Sequence, residues 1–582
     1  MKYVNGIIYT TYSLLLLAVI LIPRESCGQP LNHKSRFTHD DTLRGSITPE
    51  RAWWNVVSYN IQVTPDYNSK TIKGWNQLGF DVISDGKNRK MQIDLQQPMM
   101  IDSILFNGKK ITALKRNNNV FLIDFGDYNF ISSKTALQKT NVATSYSIKI
   151  FFKGKPREAV NPPWDGGWIW AKDDMGRPWM TVACQGLGAS VWYPCKDYQG
   201  DEPDQGALLQ IRVPDSLVAV GNGRLYSKDD QKDGTTLWTW QVKNPINNYN
   251  IVPYIGKYVH FSDNYVGETS AGSGGEKNLS LDYWVLDYNL EKAKKQFGRD
   301  VKPMLKAFEY WFGPYPFYED GYKLVESPHL GMEHQSATAY GNHYMNGYLG
   351  SDLSASGWGL KWDYIIVHES GHEWFANNIT SNDIADMWVH EGFTMYSEAL
   401  FIEYYWGKQA ADEYVQGIRE NISNDKPLIG PYGVNQEGSS DMYNKGANML
   451  HTIRQVINND SLFRNILRGL NKDFYHQCVT SKDVEEYISK KAGINFASVF
   501  QQYLRTIKIP MLEYKINGKS FSYRWTNCVT GFNMPVKIKS GNTEKWITPS
   551  QKWKTQQMGE WFSGNNLVFD KNFYIKTKRS GE

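Results

Sequence analysis

The chain reads as a multidomain α+β protein: an N-terminal antiparallel β domain, a mainly helical middle domain and a small C-terminal β domain. Three observations predict it. The 582 residues exceed what one hydrophobic core serves. Short runs alternating apolar and polar residues, separated by turn clusters, fill residues 52–260 and return after Pro510. Between them, from about Leu290 to Thr506, apolar residues recur at helical spacing.

At the N-terminus, Lys2 precedes an apolar run from Leu14 to Ile22 that stops at Pro23. Residues 1–27 therefore read as an export signal, too short for a comfortable membrane span. Cys27 is a candidate for lipid modification, although Glu25-Ser26 is a poor version of the small, apolar sequence expected before such a cysteine. The expected location is outside the cytoplasm: periplasmic, cell-surface or secreted. Residues 28–47 are polar and read as a linker.

The N-terminal β domain is placed at 48–268. Its strands include Ser58–Val63, Gln92–Leu95, Tyr146–Phe152 and Thr239–Val242, with turns at Asp85-Gly86-Lys87 and Asn107-Gly108. An aromatic run, Trp164 to Trp170, precedes the Gly-rich segment that holds Gln185. The Gly/Ser stretch 269–275 marks the boundary to a helical domain at 269–508. Helices are expected at Leu290–Trp311, Trp362–Asn377, Glu391–Tyr405, Gln409–Ile422, Lys445–Val456, Ser461–Lys472, Ser481–Lys490 and Phe496–Leu504. Residues 509–582 form the C-terminal β domain, with strands near Leu512–Ile516, Ser520–Trp525, Pro535–Ile538 and Phe573–Thr577.

Lys and Arg number 64 against 60 Asp and Glu, with both signs mixed, which argues against a nucleic-acid footprint. Past Cys27 lie Cys184, Cys195, Cys478 and Cys528, none at C-x-x-C zinc spacing. Export permits disulfides, and Cys184 and Cys195 are the nearest pair; buried free thiols are the alternative.

The chemistry concentrates in His368-Glu369-Ser370-Gly371-His372, with Glu391 nineteen residues after His372. Histidines four apart project from one face of a helix, a spacing that suits two imidazoles closing on one zinc ion. His368, His372 and Glu391 as ligands leave a fourth coordination position, the arrangement of a catalytic rather than a structural site. Glu369 stands beside it as a general base. The reading is metal-assisted hydrolysis of an acyl bond, taken to be that of a peptide, with one zinc per chain.

At these residues the sequence resembles the M1 family of zinc aminopeptidases, gluzincins with H-E-x-x-H-x18-E. Three further blocks agree in order. Gly331-Met332-Glu333-His334 resembles the family's G-x-M-E-N block and follows the family-like Phe312-Gly313-Pro314-Tyr315-Pro316. The resemblance implies that Glu333 binds the substrate's free α-amine and that Gly331 and Met332 contact substrate. His334 replaces the family's Asn, which puts its neighbouring contacts in question. Tyr443-Asn444-Lys445-Gly446 resembles Y-x-K-G, implying that Tyr443 stabilises the oxyanion. Cys184-Gln185 with Pro194-Cys195-Lys196-Asp197 resembles the β-domain segment whose glutamine helps bind the amine, here Gln185.

Asp386 to Glu391 resembles D-x-W-L-N-E, with His390 in place of Asn; it reads as a surface or packing residue and not as a ligand. The resemblance further implies a thermolysin-like catalytic domain. A zinc endopeptidase would keep the metal triad but should lack the Gly331–His334 block. A binding protein on an inactive peptidase scaffold would have lost a ligand or the base, and all four of His368, Glu369, His372 and Glu391 are present. The expected partners are peptides with a free N-terminus. Neither a nucleic acid nor a membrane-spanning segment of the mature chain is expected.

Overall fold

Val56, Tyr59, Ile61 and Val63 face inward from one long strand, Trp54–Asp66. A register shift between Val56 and Ser58 buries Val56 and Val57 in succession. In the computed structural model, which describes residues 36–140, 144–267 and 277–580, this strand lies inside an eight-stranded sheet. The order is Arg224–Asp230, Thr235–Val242, Ala207–Pro214, Trp54–Asp66, Thr71–Val82, Tyr146–Gly154, Met100–Phe106 and Lys109–Ile111. The expected antiparallel pattern is broken once, where Trp54–Asp66 runs parallel to Ala207–Pro214. Trp168 and Trp170 stack at 5.2 Å in a second, four-stranded sheet and belong to the β-domain core. Gln185 follows that sheet's strand Pro178–Ala183 by two residues.

A five-stranded mixed sheet borders the cleft, in the order Tyr258–Gly267, Lys277–Leu286, Tyr322–Glu326, Thr338–Tyr340 and Gly331–Met332. It corrects the expected boundary at 268/269. Tyr258–Gly267 pairs along its whole length with Lys277–Leu286, so strand pairing assigns it to the second domain's sheet. The Gly/Ser stretch expected to mark that boundary lies outside the described residues. The three short strands after Tyr322 were not expected, because runs of two to five buried residues carry no alternation to read.

The long helix Leu290–Phe312 buries Phe297, Val301, Met304, Leu305, Phe308 and Phe312, the i, i+3, i+4 stripe that predicted it. Further helices run Trp388–Trp406, Lys408–Ile418, Asn444–Ile457, Asp460–Asp473, Ser481–Ala492 and Ala497–Arg505. C-terminal strands lie at Met511–Asn517, Ser520–Thr526, Val536–Ser540 and Lys576–Arg579, with unexpected ones at Thr543–Ile547, Lys554–Gln557 and Leu567–Phe569. Leu512, Phe521 and Trp525 share one buried cluster with the helical domain, so the C-terminal sheets close over its core.

Residues 36–47 are not an open linker. Thr38 and Asp41 form a reciprocal capping box at the start of helix His39–Gly45. Arg44 then reaches Gly186 O at 3.0 Å beside Asp197, tying the helix to the domain. The export signal, Cys27 and residues 28–35 lie outside the described residues. No helix among the described residues is long and apolar enough to cross a membrane. The four described cysteines are free thiols, and Cys184 and Cys195 are buried.

Candidate active site

Asp363 starts the motif helix by accepting from Ile365 N and Ile366 N, and the helix runs Tyr364–Gly371. It is shorter than the predicted Trp362–Asn377. The chain leaves it in a wide turn closed by Asn377 N to His372 O and Asn378 N to Glu373 O. Ala376 follows at φ 142°, which ends any helical path. The break turns the Phe375 carbonyl toward His372, whose Nδ1 donates to it at 3.0 Å. On His368, Nδ1 donates to Glu398 at 2.6 Å, and Glu398 also accepts from Tyr414 Oη at 2.5 Å.

Both Nδ1 protons are thereby committed, so in the neutral imidazoles the Nε2 lone pairs face Glu391. His368 Nε2 lies 3.7 Å and His372 Nε2 3.3 Å from Glu391 Oε2. No hydrogen bond satisfies that buried oxygen. Three electron-pair donors converging within 4.8 Å, two nitrogens and a carboxylate, fit a zinc ion and leave room for a further ligand. The electrostatics agree. Burial opposes charge on both imidazoles, yet Glu391, together with Glu398 at His368, raises their pKa above the usual histidine value. Burial would also raise the Glu391 carboxyl, but His372 and the contact with His368 hold it well below its usual range. The site is built for positive charge.

Glycines set the spacing. A Cβ on Gly371 would lie 2.7 Å from Ser397 Oγ, so the motif helix can lie directly on the helix that carries Glu391. Gly392 and Gly446 face each other across two helices, and a Cβ on Gly446 would sit 2.8 Å from Gly392 Cα. That crossing brings Tyr443 over His368, with ring centroids 6.1 Å apart. Burial and the nearby Glu391 carboxylate push the Tyr443 phenol well above its usual value, so it keeps its proton. Gly331 admits Glu369: a Cβ there would meet Glu369 Oε1 at 2.8 Å. Glu369 is partly open to the cleft. Burial raises its carboxyl to about 7 against the pull of His368 and His372.

Glu333 lies in the same cleft and joins the two domains. Its Oε1 accepts from Gln185 Nε2 at 2.5 Å and from Tyr249 Oη at 2.9 Å. One cleft is lined by Gln185, Gly331, Met332, Glu333, Glu369 and Tyr443 together with the His368–His372–Glu391 triad. Every site residue singled out in the sequence thus meets in one place. Pro163, Trp164 and Tyr348 add apolar wall.

His334 is absent from that lining. It is buried against Tyr254, whose hydroxyl donates to Ala337 O at 2.8 Å and so must accept from His334 Nδ1 at 2.5 Å. The departure from Asn is absorbed by packing behind the cleft. His390 is buried and not on the surface; its Nε2 accepts from Ser381 N at 2.7 Å. Sequence reasoning missed Tyr249, Glu398, Tyr414 and Thr394, the last 3.1 Å from His372 Nδ1. Glu398 carried a signal: seven residues after Glu391, it lies two turns on along the same helix face. Tyr249 carried none.

The family model described as the peptidase family M1 domain matches residues 298–503. That segment spans most of the helical domain and is similar to a peptidase family M1 domain. The chain is also similar to Aminopeptidase B of Mus musculus, 23% identical over 358 residues, covering 57% of this chain and 50% of that protein. Probable aminopeptidase 1 of Saccharolobus solfataricus is 21% identical over 413 residues, covering 67% and 49%. The chain spans about half the length of these curated relatives. Among solved structures, an M1 zinc metallopeptidase variant from Deinococcus radiodurans, bound to a Tyr-Ser-Ala substrate, superposes with a TM-score of 0.64. It is 17% identical and covers 79% of this chain and 96% of that one, a likeness in fold.

Proposed function

We propose that the protein is a zinc aminopeptidase that removes the first residue from peptides, with one zinc held by His368, His372 and Glu391. The observation that carries this reading is Glu333, fixed by Gln185 and Tyr249 in the cleft that also holds Glu369 and the triad. Zinc bound there supplies Lewis acidity that activates water and polarises a carbonyl. The Glu369 carboxylate takes a proton from the attacking water and returns it to the departing amine. The Tyr443 hydroxyl, kept protonated, donates to the oxyanion. Glu333 pairs with the substrate's α-ammonium while Gln185 and Tyr249 hold its carboxylate in place. Gly331 and Met332 line the substrate's path. An internal peptide bond brings no ammonium and leaves Glu333 unpaired, at a cost of about 1–3 kcal/mol.

The relatives' names support the activity class, and the apo-to-zinc dependence is testable directly. Free peptides should be cleaved far faster than their N-acetylated forms. Chelation should abolish turnover and zinc restore it, and Glu369→Gln should retain zinc without turnover. Equal rates on free and acetylated peptides would leave an endopeptidase. We also propose export, from the apolar run Leu14–Ile22, with Cys27 as a candidate lipid site. Mass spectrometry of the mature N-terminus from native cells tests both; an intact Met1 refutes export by cleavage.

A further inference from the structure

The C-terminal β domain differs in charge from the rest of the chain. Residues 509–582 contain 12 Lys and Arg against 5 Asp and Glu, whereas the whole chain has 64 against 60. The other residues together are therefore slightly acidic, and the chain's positive excess resides in this domain.

Strand register collects part of that charge on one face. In the sheet ordered Lys554–Gln557, Ser520–Thr526, Met511–Asn517, Lys576–Arg579, the face carrying Leu512, Phe521, Tyr523 and Trp525 is buried. The opposite face carries Lys515 and Arg524 from adjacent strands, and Lys576 and Lys578 from the edge strand. Lys515, Lys576 and Lys578 are exposed. Glu513, the one carboxylate of these strands on that face, is engaged by Arg524 Nε at 2.7 Å. The Trp553 ring lies 4.7 Å from both Lys515 Nζ and Arg524 Cζ, an aromatic prop that holds two cations outward. The intervening positions are Asn517, Ser522, Thr555 and Gln557, all hydroxyl or amide groups.

We propose that this face binds an acidic polysaccharide. Cations in a flat array meet regularly spaced carboxylates or sulfates, and the hydroxyl and amide side chains between them match sugar hydroxyls. A bilayer is a poorer fit, because Met511 is the only aliphatic side chain these strands present on that face and binding there needs inserted apolar area. Single-stranded nucleic acid is poorer too, because the Trp553 ring is already engaged by two cations and is not a free stacking platform.

The test uses the full zinc-loaded chain with fluorescent polygalacturonate and heparin fragments, followed by anisotropy at low and physiological ionic strength. Wild type should bind both, more weakly as salt rises. The K515E/K576E/K578E variant should bind roughly tenfold more weakly or worse, with an unchanged Tm and peptidase rate. K515R/K576R/K578R should bind as wild type does. Undiminished binding by the charge-reversed variant overturns the proposal. So does tighter wild-type binding to single-stranded DNA or to phosphatidylserine vesicles than to either polysaccharide.

Discussion

His368 donates its Nδ1 proton to Glu398 across 2.6 Å. Glu398 is fully buried and held from its far side by the Tyr414 hydroxyl, so the imidazole can present only Nε2 to the cleft. Removing that acceptor frees the ring to rotate and weakens it as a ligand. Glu398→Leu should weaken zinc affinity by roughly 10–100-fold, and Tyr414→Phe by less, as measured by competition with a chromogenic chelator. Wild-type affinity in Glu398→Leu would show that His368 is oriented by packing alone.

Tyr249 is expected to matter for amine binding, not for bond breaking. Tyr249→Phe removes one of two donors to Glu333 Oε1, a charged hydrogen bond of about 1.5–3 kcal/mol. The value of kcat/KM for free peptides should fall roughly 10–100-fold, with most of the loss in KM. Residual cleavage of N-acetylated peptides should not change. A loss shared equally by both substrate types would mean that Tyr249 supports the fold instead.

The Gly392–Gly446 crossing predicts a coupled loss of stability and rate. A Cβ on Gly446 meets Gly392 Cα at 2.8 Å, where only backbone can yield. Gly446→Ala should destabilise by about 1–3 kcal/mol, read as a lower Tm. The shift should also carry Tyr443 away from His368, lowering kcat more than it raises KM. An unchanged Tm would show that the two helices separate without strain.

Glu202 predicts a pH dependence of folding. It is buried, accepts from Thr380 Oγ1 at 2.7 Å, and burial raises its carboxyl from 4.5 to about 7. The folded state therefore prefers the protonated form. Its contribution is fully present below about 4.5 and is lost as pH rises through about 7. That shift corresponds to about 3 kcal/mol between pH 4 and pH 8. Glu202→Gln, which keeps a neutral side chain, should flatten the decline of Tm with pH over that interval. Parallel Tm–pH curves for variant and wild type would exclude Glu202 as the source.

The histidine pair of the candidate triad was legible because helical spacing is local: His368 and His372 share a face whatever surrounds them, whereas Glu391, on the separate helix Trp388–Trp406, was picked out by its spacing from the motif. Leu290–Phe312 and Asn444–Ile457 were legible for the same reason. The motif helix was overextended to Asn377 because its end depends on a wide turn and on Ala376 at φ 142°, neither announced by Gly or Pro. The boundary at 268/269 was read from a Gly/Ser stretch, which marks a loop but not whether the strands on either side of it pair, as Tyr258–Gly267 and Lys277–Leu286 do. The helix His39–Gly45 was read as linker although Thr38 and Asp41 carried a capping box, since its only apolar residue, Leu43, makes no periodic stripe.

The sequence by itself pointed to His368, His372 and Glu391 as a candidate triad, to Glu369 as a candidate base and, through its resemblance, to candidate roles for Glu333, Tyr443 and Gln185. Those are matters of residue type at short spacing or of matching motif blocks. Only the tertiary structure decided that Gln185 meets Glu333 across 148 positions of chain, that Tyr249 completes the cluster, and that Glu398 and the Phe375 carbonyl orient the two imidazoles. Hydrogen bonds between distant segments depend on how two cores pack, and packing is a property of the whole fold that no local pattern encodes.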